Sequence, residues 1–423
     1  MPFSPLGFAS KVLPALQRAL TDKGYTTPTA VQSAAIPAIL QGRDVLASAQ
    51  TGSGKTAAFV LPLLQQMVLA APTSPRRTQA LILVPTRELA VQVGEALDSL
   101  GKYLPQRVKV AVVFGGVSIN PQMMRMRGGV DVVVATPGRL LDLIAHNALS
   151  IAQMSTLVLD EADRLLDMGF GDELNRILAL LPRQRQTLLF SATFPPAIEA
   201  LANTLLHDPL RVEVLEQPAK ALDISQRAIE VDATRRTQLL RHLIESEKWS
   251  RVLVFAATKH ATEIIAVKLR GAGITAEPFH GELSQGKRSQ VLMDFKARTL
   301  QVVVATDVAA RGIDIAQLPV VVNYDLPRSA VDYTHRIGRT GRAGESGLAV
   351  SFVSSGTEGH LRLIEKRHGI AVPREQVLGF EPLEVAVMEE GVKNAPSANG
   401  GIKGARPSKK DKLRAAAAAV RAQ

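Results

Sequence analysis

The chain has 423 residues, 46% of them apolar, which is enough for two or three globular domains. It contains no cysteine, which excludes disulfides and thiolate metal sites, and no apolar run is long enough to span a bilayer. Residues 391–423 carry eight Lys/Arg and one Asp, so +7 of the net charge of +11 lies at the C-terminus, where it suits nucleic acid. Residues 1–10 lack a signal-peptide pattern, and we expect a cytoplasmic protein.

The first predicted elements are two helices separated by a proline turn. Leu13, Leu16 and Leu20 recur at helical spacing, and Gly24 ends the run. Pro28 fixes a turn before the second helix. Gln32 in that helix could offer both a donor and an acceptor to an adenine edge. Taken alone, however, Gln32 is better explained as a surface residue.

A glycine-bearing loop, SAQTGSGKT at 48–56, lies between a predicted buried strand at 44–47 and a predicted helix that opens at 57–61. Gly52 and Gly54 allow consecutive amides to point into one concavity, and the following helix N-terminus also favours an anion. Lys55 would reach the outer phosphates of a nucleotide, and Thr56 would ligate magnesium. Ala49 departs from the motif, whose first position is glycine, and an ordinary strand–turn–helix is the alternative interpretation.

Apolar, β-branched segments then alternate with helical patterns such as 88–100. The predicted strands are 80–84, 110–114, 131–135, 156–159 and 187–190. This alternation indicates a parallel sheet with helices on both faces, in which ligands gather at the carboxyl ends of the strands. Polar segments follow the strands at the positions that this rule requires, namely 85–88, 115–116, 136–139, 160–163 and 191–193.

A second alternating block follows residues 209–223, which contain two prolines and mixed charge and are predicted to be a linker. Its predicted strands are 251–255, 274–278, 301–305, 320–324 and 348–353. It has no Gly-Lys-Thr loop, and its polar segments are 305–314 and 335–342. We therefore predict domains at 1–208 and 224–375 and a flexible basic tail at 376–423.

Carboxylates and arginines complete the predicted chemistry. Asp160 and Glu161 end an apolar strand beside the glycine-bearing loop, where Asp160 can hold the magnesium of a nucleotide and Glu161 can deprotonate a water. Arg339 and Arg342, from the second domain, can neutralise charge on the transferred phosphoryl group. The alternatives are a solvated acidic turn and an exposed basic loop. Because neither domain is complete alone, hydrolysis should require closure, and a ligand gripped by both domains should tighten ATP binding.

These motifs, in this order from about residue 3 to residue 370, resemble those of the DEAD-box ATP-dependent RNA helicases, most closely the bacterial RhlE-like group. The resemblance implies an α/β fold of two RecA-like domains, each a parallel sheet covered by helices on both faces, with a short linker and a flexible basic C-terminal tail. It implies RNA-stimulated hydrolysis of ATP with Mg²⁺, coupled to closure and to local separation of short RNA duplexes or remodelling of RNA–protein complexes. Alanine is usual in this family at the position of Ala49.

The resemblance also implies roles for individual residues. The catalytic residues are Lys55, Asp160, Glu161, Arg339 and Arg342. The nucleotide-binding residues are Tyr25, Thr27, Gln32, Ala49, Gln50, Thr51, Gly52, Ser53, Gly54, Lys55, Thr56 and Asp314, with Thr56 and Asp160 as metal ligands. The RNA-facing residues are Pro85, Thr86, Arg87, Gly115, Gly116, Thr136, Arg139, Thr258, Gly281, Gln285, Arg288 and Thr306. The residues that couple the nucleotide site to interdomain contacts and unwinding are Asp163, Ser191, Thr193 and His335.

The expected partners are single-stranded RNA and short duplexes, bound through the backbone with little base readout. Ribosome-assembly or RNA-decay proteins are further expected partners, and we expect a monomeric core without membrane association. An aromatic that packs near adenine is either Phe3 or Phe8. Two other functions stay open, a DNA translocase on the same core and a non-catalytic RNA-binding scaffold. Gln32 and the Asp160–Asp163 motif argue against the translocase.

Overall fold

The computed structural model describes residues 3, 6–8, 12–49, 52–70, 76–213, 224–310, 318–341 and 346–383. Within them the chain forms two parallel β-sheets that belong to one compact unit, Met1–Pro382. We call residues 12–213 the first half and residues 224–382 the second half. No helix in the described ranges combines the length and the apolar character that a membrane span requires.

The first sheet has the strand order β3-β4-β2-β5-β6-β1-β7, and every neighbouring pair is parallel. Its strands are β1 Val45–Ser48, β2 Ala80–Leu83, β3 Val110–Val113, β4 Val132–Ala135, β5 Thr156–Leu159, β6 Gln186–Ser191 and β7 Leu210–Glu213. β6 separates β1 from β5, so the loops that follow these three strands open at one edge of the sheet.

The second sheet has the order β10-β11-β9-β12-β13-β8-β14, also entirely parallel. Its strands are β8 Ile224–Glu230, β9 Val252–Phe255, β10 Ala276–Phe279, β11 Val302–Ala305, β12 Val320–Asn323, β13 Gly347–Val353 and β14 Arg374–Glu375. Counted within each half, both sheets follow the order 3-4-2-5-6-1-7. The two halves therefore repeat one topology, and each has its own edge of strand carboxyl ends.

Helices connect successive strands and cover both faces of each sheet. In the first half they are α1 Leu13–Asp22, α2 Ala30–Leu40, α3 Lys55–Leu69, α4 Arg87–Leu100, α5 Asn120–Met126, α6 Pro137–Ala145, α7 Ala162–Asp167, α8 Gly171–Ala179 and α9 Pro196–Leu205. In the second half they are α10 Arg236–Ser246, α11 Lys259–Gly271, α12 Gln285–Lys296, α13 Asp307–Ala310, α14 Ala330–Ile337 and α15 Glu358–His368.

The central strands are buried on both faces because helices pack against each. In β5, Val158 belongs to the apolar cluster on one face of the first sheet, and Leu157 and Leu159 belong to the cluster on the other. The second sheet has an equivalent pair of clusters. Full burial of a Val or Leu side chain contributes about 1.5–3 kcal/mol to the free energy of unfolding. The buried strands are therefore held firmly in the sheet, and they fix the positions of the polar residues that follow them.

The predicted parallel α/β architecture is confirmed, but two predicted boundaries are wrong. Residues 210–213, predicted to be linker, form β7 and pair with β1, because Leu210 and Val212 pack against the first core. Val377 and Phe380, which were predicted to belong to the tail, instead pack against the core of the second half. The rest of the predicted linker, 214–223, lies outside the described residues.

Candidate nucleotide site and RNA face

The glycine-bearing loop lies between β1 and α3, as predicted, and glycine is required at its last turn. Gly54 has φ = 91°, and a Cβ there would lie 2.5 Å from the side-chain amide nitrogen of Gln32. Lys55 opens α3 with only 7% of its surface exposed, and its Nζ has no hydrogen-bond partner. A buried ammonium without a partner suits an anionic ligand. Gln50 and Thr51 lie outside the described residues.

Other predicted nucleotide-binding residues surround this loop. Ala49 is buried and donates its amide to the Ser191 carbonyl at 3.0 Å, which ties the loop to β6. Gly52 has φ = 87°, while Ser53 and Thr56 are half-buried in the loop and the first turn of α3. The described loop residues therefore lie on both sides of the gap at 50–51, and Ala49 places the first part beside the end of β6.

Gln32 is buried, so its interpretation as a plain surface residue is wrong. Its Oε1 accepts the Thr29 amide at 3.0 Å, and its Nε2 donates to the Gly54 carbonyl at 3.1 Å. The carboxamide thus joins the start of α2 to the glycine-bearing loop. The spacing Thr29-x-x-Gln32 is a helix-capping signal that could have predicted the first of these bonds. Tyr25 and Thr27 are exposed nearby in the chain, with Tyr25 45% exposed.

Both aromatic candidates for packing near adenine, Phe3 and Phe8, are buried in the core of the first half. Leu6, between them, belongs to the same cluster. The choice between the two rings as an adenine neighbour stays a prediction.

Asp160 and Glu161 follow β5 and are both buried. Burial raises the pKa of Asp160 to about 6, although Lys55 acts in the opposite direction, which places these two side chains in one electrostatic site. Glu161 adopts a left-handed backbone, φ = 51° and ψ = 53°, and its amide donates to Asp160 Oδ1 at 3.0 Å. A non-glycine residue held in that region stores strain, which is a mark of functional sites.

The predicted coupling residues of the first half are directly hydrogen-bonded. Asp163 Oδ2 accepts both the amide and the hydroxyl of Thr193, at 3.1 and 2.9 Å. The Asp163 amide donates to Ser191 Oγ, which in turn donates to the Thr193 carbonyl. The segment after β5 is thereby connected to the segment after β6.

Residues of the second half contact the segment that follows β5. His335 Nδ1 contacts the Arg164 guanidinium, and Arg164 also lies 3.8 Å from Asp332. Burial and the Arg164 charge lower the pKa of His335 to about 4, so the imidazole is neutral near pH 7. Arg339 lines a small pocket together with Arg164, Asp332 and His335. Asp314 and Arg342 lie outside the described residues.

Arg164 and Asp332 are contacts that the sequence analysis missed. Each is a single charged residue inside a helix, without a repeat or a spacing that distinguishes it from a surface charge. The only available signal was position, since Arg164 directly follows the Asp160–Asp163 motif and Asp332 lies one turn before His335.

The predicted RNA-facing residues of the first half lie after β2, β3 and β4. Thr86 caps α4 by accepting the Leu89 amide at 3.3 Å, and Pro85 is buried. The Arg87 guanidinium lies directly against Gly116, where an added Cβ would come within 2.0 Å of Arg87 Nη2. Gly115 is half-buried beside Gly116.

Arg139 and Thr136 belong to α6 and its N-cap. Arg139 Nη2 donates to the Val117 carbonyl at 2.7 Å, its Nε lies 3.5 Å from Asp142 Oδ2 in an ion pair, and its Nη1 is buried without a hydrogen-bond partner. Thr136 is buried. Only Arg139 Nη1 therefore retains unused N–H donors.

In the second half, the predicted RNA-facing residues follow β9, β10 and β11. Thr258 caps α11 by accepting the Ala261 amide at 3.1 Å, and Gly281 is exposed. Gln285 begins α12, and its Oε1 is buried without a hydrogen-bond partner. Thr306 is half-buried, and its amide donates to the Phe279 carbonyl at 3.2 Å. Arg288 is buried and pairs with Glu88 of the first half, a contact that the sequence did not predict.

The residues near Lys55 fit a nucleotide with its metal. The buried ammonium and the buried Asp160 carboxylate offer one charge for phosphate and one for a divalent cation. No group of three or more acidic or histidine side chains in the described part of the chain could hold a metal by itself. Mg²⁺ commonly takes one or two protein carboxylates together with the phosphates of its nucleotide, which matches this arrangement.

The solved structures that resemble this chain match it across both halves. Dbp5 of Saccharomyces cerevisiae bound to RNA and ADP BeF3 is 31% identical, with a TM-score of 0.76 over 88% of this chain and 95% of that chain. A variant of Dbp5 bound to nup159, a gle1 variant, ip6 and adp is 30% identical and has a TM-score of only 0.59, over 90% and 96% of the two chains. The two halves of this chain are thus arranged more as in the former complex.

Comparison with protein families and relatives covers most of the chain. The model for "DEAD/DEAH box helicase" matches residues 29–201, and that for "Helicase conserved C-terminal domain" matches residues 235–344. ATP-dependent RNA helicase DeaD of Mycobacterium tuberculosis is 42% identical over 388 residues, which are 91% of this chain and 68% of that protein. With tandem sheets of one topology and these matches across both halves, the chain belongs to the DEAD-box family of ATP-dependent RNA helicases.

Proposed function

We propose that this enzyme hydrolyses ATP when its two halves close over a nucleotide and one RNA strand, and that closure separates short duplexes locally or remodels RNA–protein complexes. The observation that carries the proposal is the contact of Arg164 in α7 with His335 and Asp332 in α14. It joins the segment that bears Asp160 and Glu161 to the segment that bears Arg339, as a site completed by closure requires.

The first half supplies the binding and base groups. Lys55 and the loop amides hold the phosphates, and Gln32 exchanges its internal partners for the adenine edge. Glu161 accepts a proton from the attacking water, because its carboxylate is buried and close enough to Asp160 to act on the pKa of that residue. Thr56 and Asp160 would hold Mg²⁺, which when bound neutralises charge on the phosphate oxygens.

The second half supplies positive charge. Arg339 stabilises the charge that develops on the transferred phosphoryl group, and Arg342 is proposed to act with it. Asp163, through Ser191 and Thr193, transmits the state of this site to the segment after β6. His335, through Arg164, extends the same connection to the second half.

The RNA face grips the sugar–phosphate backbone from both halves. Arg87 and Arg139 present guanidinium groups that suit phosphate, and unpartnered atoms of Arg139 and Gln285 are available for hydrogen bonds. The loop at Gly281 leaves room for a backbone approach, because a Cβ there would meet nothing within 4 Å. Because these groups come from two halves, RNA and ATP each favour the closed arrangement, so each tightens the binding of the other.

The test compares wild-type protein, Lys55→Ala and Glu161→Gln in ATP hydrolysis and in binding of labelled single-stranded RNA. We expect Lys55→Ala to weaken nucleotide binding, and Glu161→Gln to bind ATP and RNA while losing hydrolysis. Lys268→Ala and Glu199→Gln, both at exposed positions, are the controls and should behave as wild type. Equal stimulation by single-stranded DNA would favour the translocase, and retained function in both variants would favour the scaffold.

Several finer assignments stay proposals. The compact two-half core followed by a short basic tail supports a place in the RhlE-like group. A cytoplasmic location, a monomeric core and partners in ribosome assembly or RNA decay also stay predictions.

A further inference from the structure

A cavity of about 340 Å³ lies at one edge of the second sheet, and we call it the strand-start cavity. Its lining residues directly precede strands, at Ser250–Arg251 before β9, Leu318–Pro319 before β12 and Ser346 before β13. Because the sheet is parallel, these strand starts share one edge, whereas the predicted RNA-facing residues of the second half follow strand ends at the other. The cavity is therefore separate from the RNA face, and its volume is within the range of small-ligand sites.

Two arginines give the strand-start cavity a positive charge. Arg251 and Arg298 both line it, and the described residues that line it include no carboxylate. The Arg251 guanidinium lies over the buried Phe295 ring of α12, 5.6 Å from its centroid, near the end of the helix that leads to Arg298. Arginine presents a planar fork of donors that suits phosphate oxygens, and Ser250 and Ser346 add hydroxyl groups.

Arg298 occupies a backbone position that favours glycine. It follows the C-cap of α12 with φ = 62°. The Thr299 amide donates to the Asp294 carbonyl at 3.0 Å and the Arg298 amide donates to the Phe295 carbonyl at 3.3 Å, which is the pattern of a helix that ends in a left-handed residue. An arginine in this conformation is less stable than a glycine would be. A residue that breaks a local rule is expected at a functional site, and the side chain of Arg298 lines the cavity.

The remaining wall is apolar and rigid. Leu318 is buried, and Pro319 next to it also lines the cavity. The Leu348 amide donates to the Pro319 carbonyl at 3.0 Å, which holds this wall against β13. Two guanidinium groups, two hydroxyl groups and an apolar wall together suit a phosphate that is attached to a flat apolar body.

The strand-start cavity also contacts the turn that carries Arg339. Gly341 lines the cavity two residues after Arg339. The Leu318 amide donates to the Arg339 carbonyl at 3.1 Å, and the Thr340 hydroxyl donates to the Leu318 carbonyl. A ligand that packs against Leu318 and Gly341 therefore touches the residues that hold the Arg339 backbone in place.

We propose that the strand-start cavity binds a small phosphate monoester with a flat apolar body, and that Arg251 and Arg298 bind its phosphate. The second part of the proposal, which rests on the proposed function, is that this binding is coupled to closure of the two halves through the turn that carries Arg339. A ligand that binds the open and closed arrangements unequally shifts the balance between them.

Calorimetric titration with phenyl phosphate tests the site, because this probe joins one phosphate to a flat apolar ring. A saturating non-hydrolysable ATP analogue is present throughout, so that the nucleotide site is already filled. We expect saturable binding at one site per chain. Inorganic phosphate and phenol, which each lack one part of the probe, should bind at least about tenfold more weakly.

The two arginine variants are Arg251→Gln and Arg298→Gly, and each should weaken binding of phenyl phosphate at least about tenfold. Arg298→Gly should also keep or raise the midpoint of thermal unfolding, because glycine suits the left-handed position. The matched control is Lys248→Gly, at an exposed residue with φ = 53° outside the cavity lining. It should keep or raise the midpoint in the same way and bind phenyl phosphate as wild type does.

Three results would overturn the site. The first is the absence of saturable binding, and the second is an affinity that neither arginine variant lowers. The third is an equal loss of affinity for phenyl phosphate and for labelled oligouridine in both variants, because that result would make the arginines part of an RNA-binding surface.

The coupling to closure is measured by repeating the titration with oligouridine added to the ATP analogue. The affinity for phenyl phosphate should differ at least about threefold between the two conditions. Equal affinities would overturn the coupling. Wild-type protein without RNA-stimulated hydrolysis would instead refute the proposed function, and the titrations of the arginine variants would still decide whether the site exists.

Discussion

Asp160 shows how a single residue can be placed for function at a cost in stability. Its carboxylate is buried at the end of β5, and its pKa is raised to about 6 even though Lys55 is close enough to oppose the shift. Above that pH the protein therefore holds a poorly solvated charge. A divalent cation or a bound nucleotide would compensate that charge. This explains why an acidic residue, and not an apolar one, occupies this buried position.

We expect Asp160→Asn to raise the free energy of unfolding while abolishing ATP hydrolysis. A group whose folded pKa exceeds its unfolded value is destabilising above the folded pKa, and this penalty disappears as the pH falls from about 6 towards 4. The shift corresponds to at most about 3 kcal/mol near pH 7. Thermal unfolding at neutral and acidic pH, without nucleotide, measures it.

The control for that measurement is Asp98→Asn at an exposed position of α4, which should leave the midpoint unchanged. A lower midpoint for Asp160→Asn at pH 7 would contradict the assignment of burial as the main cause of the shift.

At the scale of elements, the contact between α7 and α14 joins the segment that bears Asp160 and Glu161 to the segment that bears Arg339. Arg164 stands against His335 and Asp332, and the imidazole is neutral in this contact because its pKa is lowered to about 4. A protonated His335 would place a second positive charge against Arg164. We therefore expect closure to depend on the protonation state of His335.

We expect closure to weaken as the pH falls through the ordinary pKa of histidine. In the open protein His335 should titrate near 6.5, so below that pH the open state binds an additional proton. The free energy that favours closure decreases until about pH 4, by at most about 3 kcal/mol in total. Above about pH 7, His335 contributes no pH dependence to closure. Fluorescence transfer between the halves, with an ATP analogue and RNA, measures closure.

The absence of native cysteine makes two introduced cysteines unique labelling sites. His335→Gln should flatten the pH profile, and His146→Gln, exposed after α6, should retain it. An unchanged profile in His335→Gln would assign the pH dependence to another group.

At the scale of the whole molecule, the chain repeats one sheet topology and divides the chemistry between the copies. The first half carries the glycine-bearing loop with Lys55 and the carboxylates Asp160 and Glu161, and the second half carries Arg339. Two separate polar contacts join them, Arg164 with His335 and Asp332 near the nucleotide site, and Glu88 with Arg288 on the RNA face. On the proposed function, neither ligand is gripped fully without an arrangement that favours the other.

Removal of residues 391–423 should weaken RNA binding and reduce its salt dependence while sparing RNA-independent ATP hydrolysis. These residues carry a net charge of +7, and neutralisation of phosphates by such a segment releases counterions. Titrations of RNA affinity against salt, on the full and shortened chains, give the slope. An unchanged slope would contradict a role of this segment as an RNA tether.

The bounds of the strands that are apolar throughout could be predicted from the sequence to within two residues. The loops that follow these strands could be predicted equally well. β5 and β11 are examples, because helices on both faces demand unbroken apolar runs. β7, β8 and β14 were missed because polar residues interrupt them, as Arg227 does in β8 with its ion pairs to Glu247 and Glu375. Their assignment required knowledge of the neighbouring strands.

The sequence by itself determined the family, the parallel α/β class and the Lys55, Asp160 and Glu161 constellation, because local spacing after a buried strand specifies each of them. Only the tertiary structure decided that Gln32 is bonded to Gly54, that Arg164 meets His335, and that Arg288 belongs to Glu88. These contacts join residues from 22 to 200 positions apart, and no local pattern encodes which charges become neighbours when two sheets pack together.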